Sequence, residues 1–207
     1  MRQDLGLDRL ALPIAFDPAR LAADLAGLRA IAWTEHFVTA GYEGDWSIIA
    51  LRQAAGASRL GLTDISDPDC SDYVETAAAA ACPYFRQVLR TFACPLLSVR
   101  LTRLGPGSTI KEHAHDVDET RVAQVHIPIT TNNDVDFRID GGHCPMPAGS
   151  VWWFRLSDPH SVTNRGQTDR VLMLVDLVMN DWLAALLTRA AGTVPGRSRL
   201  RKSLVDG

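Results

Sequence analysis

Cysteine is scarce. The chain has 207 residues and 4 cysteines, Cys70, Cys82, Cys94 and Cys144, with no CxxC pair among them. That scatter excludes a zinc knuckle and a disulfide scaffold, and it reads as reduced thiols. Long apolar runs are missing too: none approaches the roughly 20 residues that a membrane helix needs. The opening "MRQDLGLDRLALPIAFD" lacks the apolar core and small-residue cleavage site of a secretory signal. Neither sign of charge is in excess. With 21 basic against 24 acidic side chains the net charge is -3, which makes no electrostatic case for a nucleic acid or an acidic membrane as partner. The expectation is a cytoplasmic globular protein with neither of those partners.

Three textures follow one another along the chain. The first, to about residue 94, is rich in Ala and Leu. "DPARLAADLAGLRAI" has helical spacing, with Asp17 as N-cap and Pro18 at the first helical position. "WSIIALRQA" from Trp46 reads as a strand, and a helix is expected from about Cys82–Pro83 to Phe92, since Pro83 interrupts anything longer. From about 95 to 178 short β-rich runs alternate with turn residues: "LLSVRLTRL", "GPGSTI", "VAQVHIPI", "VDFRID", "GSVWWF", "HSVTN", "RVLMLVDLV". That spacing predicts an antiparallel sandwich or barrel. "NDWLAALLTRAAG" then predicts a helix capped by Asn180, with Gly192 just past its end, and "VPGRSRLRKSLVDG" reads as a solvated basic tail.

Five of the six histidines fall in the β-rich zone. His113 and His115, in "KEHAHD", would share one face of a strand because side chains there alternate with period two. Two imidazoles on one face can serve one ion; they also suit an ordinary polar strand face. His160, opening "HSVTN", can reach the same centre from a separate segment, which is what a metal site requires. His143 reads as a loop residue and His36 as a surface or packing residue. Arg170 opens an apolar strand, where its planar fork can pin a carboxylate. Trp152 and Trp153 point to opposite faces of a strand, so at most one can line a barrel.

Together "GSTIKEHAHD", "HIPITTN" and "HSVTN", with Arg170 ten residues after His160, resemble the aspartyl/asparaginyl β-hydroxylase family, which includes bacterial proline hydroxylases; "GDWSIIALR" upstream fits as well. The resemblance implies a mainly β fold with flanking helices, built on a double-stranded β-helix (jelly-roll, cupin-like) core. It implies three parts. Residues 1–94 form an N-terminal helical and strand extension packed on the core, 95–183 the catalytic core, and 184–207 the end of the C-terminal helix and the tail. It implies oxidation with Fe(II), O2 and 2-oxoglutarate: His113 and His160 as iron ligands, Arg170 on the distal carboxylate of 2-oxoglutarate, and His126 near its other end. The implied substrate is an amino acid, an amino-acid derivative or a peptide side chain. Trp46 and Arg52 are candidates to face it, the arginine holding a substrate carboxylate.

Two positions depart from the family pattern. Where proline-hydroxylating members carry Asp two residues after the first His, this chain has His115. His115 as a third neutral ligand, a water in its place, or Asp116 shifted to the metal are the alternatives, the first being favoured. Where members often carry Arg before the histidine of "HIP", the chain has Gln124, so cosubstrate binding leans on Arg170, with Arg121 as the nearest cation that can compensate. A second resemblance, to the cupins, would make the metal set His113, His115, Glu119 and His160.

Overall fold

Period-two alternation sorts the central strands into a helix-facing side and a cavity-facing side. The computed structural model describes residues 7–57, 66, 69 and 72–193. The strands are β1 (Arg9–Ala15), β2 (Thr34–Glu35), β3 (Tyr42–Glu43), β4 (Trp46–Ala54), β5 (Tyr73–Glu75), β6 (Leu96–Leu104), β7 (Thr109–His113), β8 (Val122–Thr130), β9 (Val135–Ile139), β10 (Gly142–His143), β11 (Ser150–Phe154), β12 (His160–Asn164) and β13 (Arg170–Val178). The helices are α1 (Pro18–Gly27), α2 (Ala77–Ala80), α3 (Pro83–Leu89) and α4 (Asp181–Gly192).

An eight-stranded antiparallel sheet runs β1-β11-β8-β13-β6-β4-β2, with β5 beside β4. A five-stranded sheet runs β10-β9-β12-β7-β3. This is the mainly β, two-sheet architecture with flanking helices that the strand spacing predicts. Odd-numbered residues of the long strands, Val99, Leu101, Val125, Ile127, Met173 and Val175, are buried against Leu21, Phe85, Leu183 and Leu187 of the helices. Burying such side chains stabilises by roughly 1.5–3 kcal/mol each. Even-numbered residues of the same strands, Arg100, Thr102, Gln124, His126, Arg170 and Leu172, line the space between the sheets. That space is closed at one end by Ile110, Phe137, Ile139 and Val162 of the small sheet packing on Leu104 and Phe154 of the large one. Trp153 joins the helix-side core while Trp152 packs against the inter-sheet cluster, on opposite faces as expected.

The helices start where their caps dictate. Asp17 accepts from the backbone N–H groups of Ala19 and Arg20, and Asn180 from that of Leu183. Two ends differ from expectation. α3 stops at Leu89, and Gly192 is the last residue of α4, with Thr193 following as its cap. β1 was not legible as a strand; it pairs with β11 and extends the large sheet. Gly149 makes that docking possible: its φ is +81°, and a Cβ there would stand 2.2 Å from the carbonyl oxygen of Phe16. Cys82, Cys94 and Cys144 are free thiols. The basic stretch from 194 onward lies outside the described residues. No helix among those residues is long and apolar enough to cross a membrane.

Asn164, fully buried at the end of β12, ties the site-bearing strands together. Its Nδ2 donates to the carbonyls of Leu104, Gly105 and Thr168, and its Oδ1 accepts from Gly166 N and from Asn132 Nδ2. Those contacts join the ends of β6 and β12 to the lead-in of β13. Leaving such buried groups unpaired costs about 1–3 kcal/mol apiece before relaxation. Asn164→Ala is therefore expected to lower stability by about 2–4 kcal/mol in urea unfolding. A loss under about 0.5 kcal/mol would contradict that role.

Candidate metal and cosubstrate site

β7 and β12 are hydrogen-bonded neighbours in the small sheet, and their register sets His113 directly opposite His160. β7 ends at His113, so His115 is brought in by the following loop rather than by strand alternation. Its backbone N–H donates to Leu156 O at 2.9 Å. The ring centroids lie 4.3 Å apart for His113–His160, 5.1 Å for His113–His115 and 5.2 Å for His115–His160. One ligand nitrogen from each ring lies within 4.8 Å of the others.

Two of the rings are oriented by backbone. Nδ1 of His113 lies 2.8 Å from Lys111 O, and Nδ1 of His160 lies 2.9 Å from Asp158 O. A carbonyl only accepts, so each Nδ1 carries the hydrogen and each Nε2 keeps a lone pair for an ion. His160 is buried, and desolvation lowers its pKa, which favours the neutral form that binds metal.

Across the pocket, Arg170 opens β13 with its guanidinium 5.8 Å over the Phe137 ring. The residue is 4 % exposed, and its Nη2 has no hydrogen-bond partner among the described residues. Burial lowers its pKa to about 10, so it remains cationic at neutral pH. An incompletely paired buried guanidinium is expensive, and an anionic ligand relieves that cost. His126 is buried alongside, edge-on to Phe154 at 4.9 Å, with its pKa held well below 6.5 by desolvation and then by the positive charge of Arg170.

His113, His115, His160, His126, Gln124, Arg170 and Trp46 thus line one pocket of about 620 Å3, open mouth included. Arg52 is not among its lining residues. A register shift between Ala50 and Arg52 displaces it, and its Nε donates to Leu96 O at 3.1 Å. Arg100, on β6, lines the pocket instead, with Nη1 3.5 Å from Asp176 Oδ2. Alternation in "LLSVRLTRL" sets Arg100 and Thr102 on one face, but which face turns inward is decided by the helices. His36, expected at the surface or in packing, is buried and stacked on Trp46 with centroids 3.5 Å apart, and it lines the pocket. Glu119 accepts from Ser157 N and Oγ at 3.1 Å and stands outside the three-histidine cluster, so the cupin ligand set is not assembled. Asp116 is exposed, Arg121 is turned to Asp69, and His143 sits on β10 with Nδ1 2.9 Å from Asp136.

A double-sheet β fold whose pocket holds an imidazole cluster and a buried arginine suits a metal-dependent oxygenase. Residues 23–180 match the family model for aspartyl/asparaginyl beta-hydroxylase, and the chain belongs to that family. Membership implies Fe(II) and 2-oxoglutarate as cofactors, and the three-histidine donor set and the incompletely paired guanidinium fit both. An L-proline cis-4-hydroxylase of Rhizobium meliloti (strain 1021) is 24% identical over 199 residues, covering 93% of this chain and 69% of the relative. A 2OG-Fe(II) oxygenase family oxidoreductase from Burkholderia pseudomallei shares the fold at 14% identity and a TM-score of 0.52, over 82% of this chain and 85% of that one. A prolyl-4-hydroxylase of Pseudomonas putida does so at 14% and 0.51, over 86% and 95%.

The three-histidine cluster makes a direct prediction. In anaerobic Fe(II) titrations, His113→Ala and His160→Ala should each weaken binding by more than about 100-fold, beyond the usual cost of losing an outer hydrogen-bond partner. Glu119→Gln should leave it unchanged. A loss at Glu119 as large as that at His160 would contradict the assignment.

Proposed function

We propose that the protein is an Fe(II)- and 2-oxoglutarate-dependent oxygenase that hydroxylates an unactivated C–H bond of a free amino acid or a close derivative. The observation that carries this reading is a three-imidazole cluster sharing one pocket with a buried guanidinium that lacks a full set of acceptors. Fe(II) with 2-oxoglutarate and O2 supplies, when bound, an oxidant able to take hydrogen from such a bond, leaving succinate and CO2 as co-products.

His113 and His160 would hold the iron through Nε2, and His115 would complete the protein face as a third neutral ligand. An imidazole in place of a carboxylate leaves one more positive charge on the centre, and so strengthens its attraction for an anionic chelate. Arg170 donates to the distal carboxylate of the cosubstrate, its fork matching the two oxygens. Ile48, Leu172 and Leu174 form an apolar wall that keeps bulk water from the reacting carbon.

Arg100 takes the role expected of Arg52. It is a second buried cation facing the cavity, suited to a substrate carboxylate. Trp46 donates its indole N–H to Thr102 Oγ1 at 2.6 Å, which holds the ring as a flat wall for the substrate's carbon skeleton. A carboxylate partner buried inside the pocket favours a free amino acid over a peptide side chain, and the similarity to a proline hydroxylase supports the same class.

Arg170→Ala should cost about 2–4 kcal/mol in 2-oxoglutarate binding, about 30- to 1,000-fold in affinity, while Fe(II) affinity stays the same. Succinate formation then falls accordingly; unchanged turnover would sink the assignment. Arg100→Gln should raise KM for the amino acid and leave 2-oxoglutarate affinity alone. A loss confined to 2-oxoglutarate binding would reverse the two roles.

A further inference from the structure

His126 carries a buried nitrogen, Nδ1, with no hydrogen-bond partner among the described residues. What that atom can do is decided by a relay behind it. Asp176 is fully buried. Its Oδ2 accepts from Ser66 N at 3.0 Å and Ser66 Oγ at 2.7 Å, and its Oδ1 accepts from Gln124 Nε2 at 2.7 Å. An ionised carboxylate only accepts, so Gln124 must turn its NH2 group to Asp176 and its amide oxygen to His126. That oxygen lies 3.0 Å from His126 Nε2. It too only accepts, so Nε2 carries the hydrogen and Nδ1 of the neutral ring is left as an acceptor. Reversing the amide would press one acceptor against another.

2-Oxoglutarate offers only acceptors: two carboxylates and a ketone. A neutral His126 in this tautomer has nothing to donate to it. On the reading of this pocket as a 2-oxoglutarate site, we propose that His126 takes up a proton at Nδ1 from solvent as the cosubstrate binds. Gln124 and Asp176 are the positioning residues that impose this coupling. The bound dianion then meets two donors, the guanidinium of Arg170 and an imidazolium, and the proton returns to solvent when the anion leaves.

The surroundings set the sign. Arg170 on β13, Arg100 on β6, His160 on β12 and His115 in the β7–β8 connection face His126, and the rings of Phe137 on β9 and Phe154 on β11 lie against it. Asp176, behind Gln124, is the carboxylate of the relay. Burial first, then the positive charge of Arg170, holds the pKa of the free ring well below 6.5. A dianion cancels the repulsion and raises the bound-state value. Affinity is therefore greatest below the free-state pKa. It falls by about tenfold per pH unit as pH rises toward the bound-state value, and it is flat above that.

The test is calorimetry of the anaerobic Fe(II)-loaded protein with 2-oxoglutarate, in pairs of buffers with different ionisation enthalpies, across pH 6–8. The expected result is uptake rising toward about one proton per cosubstrate bound in that window. Gln124→Leu removes the acceptor that holds the tautomer. The neutral ring can then put its hydrogen on Nδ1, so uptake should vanish while binding persists. His126→Gln, which leaves the Gln124–Asp176 contact in place, should also abolish uptake and answers the question if the first variant does not fold. Binding with no proton uptake, as a water bridging Nδ1 and the carboxylate would give, overturns the coupling and leaves the cosubstrate reading standing. Uptake that survives both variants belongs to another group and overturns it equally. No binding of 2-oxoglutarate at any pH overturns both.

Discussion

The register between β7 and β12 is the constraint on which the site depends. It sets His113 opposite His160, on the side of the small sheet that faces the large one. A slip of one residue would carry one of the two rings to the other face and part the pair. Ile110 pairs with Val162 on the same two strands, and the register shifts by one residue between that pair and the histidines, so that Ile110, His113, His160 and Val162 all face the cavity. Asn164, at the far end of β12, clamps that strand to β6 and to the approach of β13. The imidazole cluster and Arg170 are therefore held from opposite sheets by the same packing that closes the pocket.

Electrostatics in the pocket is one-sided. Arg170 and Arg100 are buried cations, and the imidazoles around them are kept neutral by desolvation or oriented by backbone carbonyls. Asp176 is the buried carboxylate of the group, and its acceptor sites are engaged by Ser66, Gln124 and Arg100. A cavity of this kind attracts a dianion, and it does so without a net charge on the protein that would draw polyanions to its surface. Replacing an aspartate by His115 and an arginine by Gln124 shifts charge within the site. On the proposed assignment the metal face becomes more positive and the cosubstrate end less so.

Much of this was legible in the sequence because alternation survives folding. "LLSVRLTRL", "HSVTN" and "RVLMLVDLV" became strands with the bounds their residues suggest, and Asp17 and Asn180 cap the helices they precede. β1 is not legible as a strand because Pro13 sits within it and its pairing with β11 is irregular, as suits an edge strand. Arg52 and Arg100 show a second limit. Both lie on strands with alternating character, but the register shift after Ala50 takes Arg52 to a backbone carbonyl and leaves Arg100 facing the cavity. Such a shift has no local sequence mark. His115 and Glu119 show a third: both lie beyond β7, where spacing alone says nothing about which one converges on His160 and which one turns to Ser157.

The central claim is that the imidazole cluster and Arg170 form one site for Fe(II) and 2-oxoglutarate together. An anaerobic titration of the metal-free protein with Fe(II), then with 2-oxoglutarate, followed by visible absorption, tests it most directly. The account predicts a weak charge-transfer band of the chelate that appears only when both are present. Iron binding with no band on adding 2-oxoglutarate would contradict it.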